Sequence, residues 1–208
     1  MKLGLILECP PNGTDHQVYD YIVRKLCPSI EIFVLPTGTS NKPQMIENCG
    51  KIASSLLELE SCDVVAIIWD LMPPWEKQGE KACRHEDIDK IQTNLKNANV
   101  DLSKIKLICI EPELEGWIIT EGSALTKYKK TICGTHPIKK FNKKKDLSTF
   151  KDSKKILSKY LGRKYNDTVD AIKIVKHIDD FGKIARKHKS FARLKNFIEQ
   201  FNNLCVND

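Results

Sequence analysis

The sequence predicts an α/β fold: a parallel sheet of about four strands flanked by helices, with a helical extension at the C-terminal end. Three observations carry this. Four runs of strand length, rich in Ile, Leu and Val, recur through the first half; segments of helical period separate them; and from Ser153 onward the chain reads as helices only. Such alternation describes βαβ units, whose crossover helices cover both faces of a sheet and make its strands continuously apolar.

The first run, KLGLILE (Lys2–Glu8), is followed by a loop bearing Pro10, Pro11 and Gly13. Thr14 is placed to cap a helix to about Leu26, with Val18, Ile22 and Leu26 on one side. SIEIFVLP (Ser29–Pro36) is the second strand, and a second helix covers Gln44 to Leu59. CDVVAIIWD (Cys62–Asp70) is the third strand, Glu86 to Asn97 the third helix, and KIKLICIE (Lys104–Glu111) the fourth strand. ELEGWIITEGSALTKY, from Glu113, is helical in period, and the basic stretch from Lys129 to Asp152 reads as a surface loop broken by Gly134 and Pro137. The remaining helices are SKKILSKYL with Gly162 as its stop, one from Thr168 as N-cap to His188, and one capped by Ser190. Residues 1–125 thus form an α/β core. Residues 126–208 form a basic loop and helical extension packed on it, either as a separate domain or within one cooperative unit.

At 208 residues and 41% hydrophobic the chain can bury a substantial core. No N-terminal stretch has the pattern of a secretory signal, and no apolar run is long enough to span a bilayer, so a soluble protein without a membrane partner is expected. The eight cysteines never form a C-x-x-C pair. They read as buried thiols in a reducing cytoplasm rather than as a zinc site or disulfide framework. The net charge of +7 conceals an asymmetry: residues 1–125 carry −7 and residues 126–208 carry +14. An acidic half bearing a site and a basic half gripping a polyanion is one interpretation; helices solvated by lysine is the other.

In open α/β sheets the functional crevice lies at the carboxyl ends of the strands. Three of the four predicted strands end in acids there: Glu8, Asp70 and Glu111. Converging carboxylates need a cation or raised pKa values, and a hard divalent ion bound through oxygen is the simplest neutraliser. Single acids at strand ends also cap helices, and Glu113 can serve a helix dipole by roughly 0.3–1 kcal/mol instead of binding metal. Asp15 is open to the same two readings. Trp69 and Trp117 are expected in the core, while Trp75 is freer to stack on a base. The run KKFNKKKD offers Lys139, Lys140, Lys143, Lys144 and Lys145 as a backbone-phosphate track or as a solvated loop. The five histidines show no metal spacing, and no P-loop or dinucleotide fingerprint is present.

Several of these stretches resemble a known family. ILECPPNGTDHQVYDYIVRKL is similar to the first motif of TOPRIM domains, and VVAIIWDLMPPW to their second, a strand ending in Asp-x-Asp. ICIEPELEGWIITEGSAL resembles the PELEAWLL-type signature of bacterial TOPRIM-like proteins related to the RloB-like phage-defence families. DSKKILSKYLG and KSFARLKNFIEQF extend the likeness over most of the chain. The resemblance implies a TOPRIM-like, Rossmann-like fold that binds Mg²⁺, or Mn²⁺ in its place, for phosphodiester chemistry on nucleic acid. It assigns Glu8 as general acid/base and Asp70 as first metal ligand. Met72 stands where the second aspartate is expected, so Glu111 or Glu113, ahead of Glu115, would supply the missing ligand.

The function expected is therefore a Mg²⁺-dependent nuclease, with phage defence as its implied setting. The rival reading is a non-catalytic module of the same fold that binds nucleic acid or a partner ATPase, and a small-molecule phosphate enzyme is a third. A homodimer is left open.

Overall fold

A computed structural model describes residues 1–35, 39–72, 83–111, 113–134, 140–141 and 153–205, the last four of these by backbone alone. The sheet is four-stranded and parallel throughout, in the order β2-β1-β3-β4, with β1 Lys2–Leu7, β2 Glu31–Phe33, β3 Val64–Asp70 and β4 Ile105–Ile110. The helices are α1 Thr14–Leu26, α2 Lys42–Glu58, α3 Arg84–Asn97, α4 Leu114–Thr120, α5 Gly122–Cys133, α6 Ser153–Leu161, α7 Asp167–Val175, α8 Phe181–Lys187 and α9 Lys189–Cys205. The fold is the expected α/β class, Rossmann-like in its winding, with helices making up all the described regular structure after β4.

Strand alternation divides the core into two. Leu3, Leu5 and Leu7 of β1, Ala66 and Ile68 of β3, and Ile108 and Ile110 of β4 join Val18, Ile22, Trp117, Ile174 and Phe191 in the larger cluster. Ile6, Val65, Ile67, Trp69 and Cys109 point the other way, onto Met45, Cys49, Ala53, Ile91 and Leu95 of α2 and α3. Successive side chains leave opposite faces of a strand, so a run apolar at every position is buried twice. Trp69 and Trp117 are each 1% exposed, as expected of core residues. α2 and α3 meet at Gly50, where a Cβ would run into the Asn94 carbonyl and come within 2.9 Å of the Ala98 Cβ.

Several boundaries differ from the sequence reading. The second strand keeps only Glu31–Phe33 of the expected Ser29–Pro36. Thr14 is the first helical residue of α1 rather than its cap, which is Gly13. α2 starts two residues early because the Asn41 side chain accepts from the Gln44 N–H and Pro43 follows at the first turn. The helical run from Glu113 breaks at Glu121, whose side chain accepts from Ser123 N–H and begins α5. The long helix expected over Thr168–His188 is two, α7 and α8, with Asp180 capping the second through Gly182 N–H. Asn166, not Thr168, caps α7. Ser190 lies inside α9, and its Oγ accepts from Trp117 Nε1 at 3.1 Å. Gly162 does end α6, at φ +76°, a conformation side chains with a Cβ rarely adopt.

The seven described cysteines whose side chains are placed are free thiols. Among the described residues no helix is long and apolar enough to cross a membrane.

Candidate functional site

The chain passes from β1 outward to β2, then back across β1 to β3, so the winding reverses between β1 and β3. At such a reversal the two crossovers leave in opposite directions and open a crevice at the strands' carboxyl ends. Glu8 follows β1 and Asp70 ends β3, one on each side of it. They touch: the Asp70 backbone N–H donates to Glu8 Oε1 at 2.6 Å.

Two helix N-termini bring further acids to this point. α1 carries Asp15 in its first turn, and α4 carries Glu115. The Leu114 N–H at the start of α4 donates to Asp70 Oδ2 at 3.4 Å, joining the end of β3 to the segment that follows β4. Glu115 is 4% exposed, because every residue of α4 is buried.

The electrostatics follow from this crowding. Burial pushes the Glu8 carboxyl from 4.5 up to about 7, against the opposing pull of the Asp70 N–H and the Lys42 ammonium. Burial raises Asp70 well above the usual carboxylate range, and the negative charges of Asp15, Glu8 and Glu115 add to it. Glu115 is likewise pushed to about 7 by burial, with Lys154 opposing, and burial raises Asp15. The phenol of Tyr19, 3% exposed, is raised by burial and then by these same four acids. Like charges in one low-dielectric neighbourhood cannot all ionise at once, so their protons leave as a coupled set.

Two ammonium groups flank the acids. Lys42, 4% exposed, donates to the carbonyls of Asp70 and Leu71 at 3.1 Å each and pairs with Asp87 at 2.8 Å. Asp87 also accepts from Trp69 Nε1 at 3.0 Å, so a buried lysine, an aspartate and a tryptophan together hold the end of β3 in place. Lys154, on the other flank, lies 3.5 Å from Glu115 and 3.0 Å from Asp167.

The expected site residues divide accordingly. Glu8 and Asp70 meet. Glu113 takes the N-cap position of α4 without a side-chain cap hydrogen bond, and its charge acts on Glu115 and Lys154. Glu111 is engaged elsewhere: its Oε1 accepts from Arg84 at 2.9 Å and from Arg193 at 3.1 Å, tying α3 and α9 to the end of β4. Lys140 is exposed, while Lys139, Lys143, Lys144, Lys145 and Trp75 lie outside the described residues. Met72 is 46% exposed.

Sequence reasoning ranked Glu115 last and did not weigh Lys42 or Lys154. A signal for Glu115 was present: Leu114, Trp117, Ile118 and Ile119 make LEGWIIT largely apolar, and a largely apolar helix is a buried one. For Lys42 and Lys154 no local pattern exists, since their partners lie in distant segments.

Glu8, Asp15, Asp70 and Glu115 offer a metal ion hard carboxylate oxygens, while burial keeps the neighbouring Cys9 thiol protonated at neutral pH. Among the described residues no three His, Cys, Asp or Glu side chains close into a ready-made ion cage. Mg²⁺ does not require one, since it is commonly held by one or two carboxylates, its own waters and substrate phosphate. The donor set fits such an ion. No family model, curated protein or solved structure matches this chain.

Proposed function

We propose that this protein is a metal-dependent phosphodiesterase acting on nucleic acid. The observation that supports it most is the Glu8–Asp70 contact at the winding reversal of the sheet, amid a field shared with Asp15 and Glu115. Asp70, with Glu115 or Glu113 beside it, would hold Mg²⁺ or Mn²⁺, which when bound supplies stabilisation of charge on a phosphate. Glu8 moves the proton. Its Oε1 is occupied by the Asp70 N–H, leaving Oε2 for exchange. A carboxyl titrating near 7 is suited at neutral pH both to accept a proton from an attacking water and to return one to a leaving oxygen. The net +14 of residues 126–208 favours a polyanionic substrate. Free thiols at the described cysteines support a reducing, cytoplasmic setting. Phage defence and a partner ATPase rest on the sequence resemblance.

The test is hydrolysis of bis(p-nitrophenyl) phosphate and of labelled DNA and RNA strands with Mg²⁺ or Mn²⁺. Glu8→Gln and Asp70→Asn are each expected to lose about 100-fold or more in rate while remaining folded by circular dichroism. Wild-type rates in both variants overturn the reading. Met72 favours the second reading, a binding module without catalysis; binding of strands with no cleavage under either ion would establish it.

A further inference from the structure

Lys154 joins the carboxylates to a second feature, a groove of about 790 Å³ between α6 and the turn into α7. Its volume falls in the range of ligand clefts, roughly 300–1,000 Å³. Its lining carries Lys154, Lys155, Arg163 and Lys164 against one acid, Asp167. Arg163 is fixed in place by Asp170, which is fully buried and accepts from both guanidinium arms at 2.9 and 2.6 Å. Lys155 and Lys164 are exposed.

One hydroxyl adds an independent observation. The Tyr165 side chain lines the groove, and its Oη is buried without a hydrogen-bond partner among the described residues. A buried polar group left unmet calls for an explanation. Burial raises the Tyr165 phenol, and the negative charges of Glu115, Asp167, Asp170 and Asp15 add to it. Ammonium and guanidinium groups lining one cleft, beside acids that would handle a phosphodiester, fit an oxyanion of the same chain of phosphates.

We propose that this groove binds a backbone phosphate of the polynucleotide strand whose neighbouring phosphodiester meets Glu8 and Asp70, a claim that rests on the function proposed above. Lys155 and Lys164 grip the phosphate as point charges, and Lys154 exchanges part of its contact with Asp167 for the strand as it passes toward Glu115.

The experiment is fluorescence anisotropy of a labelled single-stranded oligonucleotide in EDTA, where no metal-dependent cleavage occurs. The double variant Lys155→Ala/Lys164→Ala, at exposed positions, is expected to bind at least 10-fold more weakly. The slope of log K against log salt should fall by about 0.7, the value for one phosphate of a single strand that is no longer neutralised. Lys173→Ala/Lys176→Ala, which removes equal charge from α7 and its C-cap outside the groove lining, is expected to bind within threefold of wild type. An unchanged slope in the groove variant, or an equal weakening in the α7 variant, overturns the proposal. Hydrolysis of bis(p-nitrophenyl) phosphate, too small to span both features, separates the two claims. Groove-dependent binding without any hydrolysis would leave the groove standing and remove the enzyme, whereas hydrolysis that survives in a groove variant of unchanged affinity would do the reverse.

Discussion

The Asp70 backbone N–H donates to Glu8 Oε1 at 2.6 Å, so the last residue of β3 holds the first residue past β1 across the reversal of the sheet's winding. The contact is between a main-chain donor and a side-chain acceptor, and it survives a change of protonation at Glu8 Oε2. It fixes the position of Glu8 while leaving its proton free to move.

The pH dependence of stability follows from the two glutamates raised to about 7. Glu8 and Glu115 each keep a proton in the folded protein between about pH 4.5 and 7 that the unfolded chain has already released. Their contribution is therefore fully present below pH 4.5, declines as pH rises through 7, and is then constant, with a slope of about 1.4 kcal/mol per pH unit and group at most. Glu8→Gln removes one such group. Its stability relative to wild type, read from urea unfolding, should improve by about 1–3 kcal/mol between pH 4.5 and pH 8. A difference independent of pH would contradict the burial of the Glu8 charge.

Divalent cations should stabilise the wild type by mass action on the folded state. Millimolar Mn²⁺ is expected to raise the melting temperature by a few degrees, and more at pH 8 than at pH 6, because protons compete for the same carboxylates. Asp70→Asn should abolish the shift. A shift of equal size in that variant would move the ion away from Asp70.

Lys42 and Asp87 form a buried pair, each side chain 4% exposed. Lys42→Met leaves Asp87 as an uncompensated buried charge and frees the carbonyls of Asp70 and Leu71, which should cost about 3–5 kcal/mol. Lys42→Met/Asp87→Leu removes both charges and should recover part of that stability, the Asp70 and Leu71 carbonyls and the Trp69 Nε1–H being left without these partners, as a double-mutant cycle in urea would show. Lys42 also pulls the Glu8 carboxyl down. In Lys42→Met, where Asp87 is left to push the same carboxyl up, the acidic limb of any pH–rate profile should therefore move to higher pH.

Gly50→Ala tests the packing of α2 on α3. The added methyl meets the Asn94 carbonyl and the Ala98 Cβ, so the helices must separate. The helix propensity gained, about 1 kcal/mol, is outweighed by overpacking of about 1–3 kcal/mol. A net gain in urea stability would show that the helices part easily.

Local pattern made much of the architecture legible. VVAIIWD is apolar at every position but its last and became a central strand with both faces covered, Ile67 to one cluster and Ile68 to the other. The break at Glu121 and the division of α7 from α8 were not legible, because each depends on a side chain turning back to cap the next helix: Glu121 to Ser123 and Asp180 to Gly182. The second strand is short because only Glu31–Phe33 find partners on β1. Of the site, Glu8 and Asp70 could be read from their places at strand ends.

By itself, then, the sequence determined the α/β class, the approximate elements and two of the acids at the crevice, since periodicity and strand-end position are properties of a single segment. Tertiary structure alone decided that Glu111 pairs with Arg84 and Arg193, that Asp15 and Glu115 enter the field of Asp70, and that Lys42 and Lys154 flank them. The reason is distance along the chain. Coulombic partners 27 to 82 residues apart leave no local trace, and only the sheet order and the docking of α4, α6 and α9 bring them together.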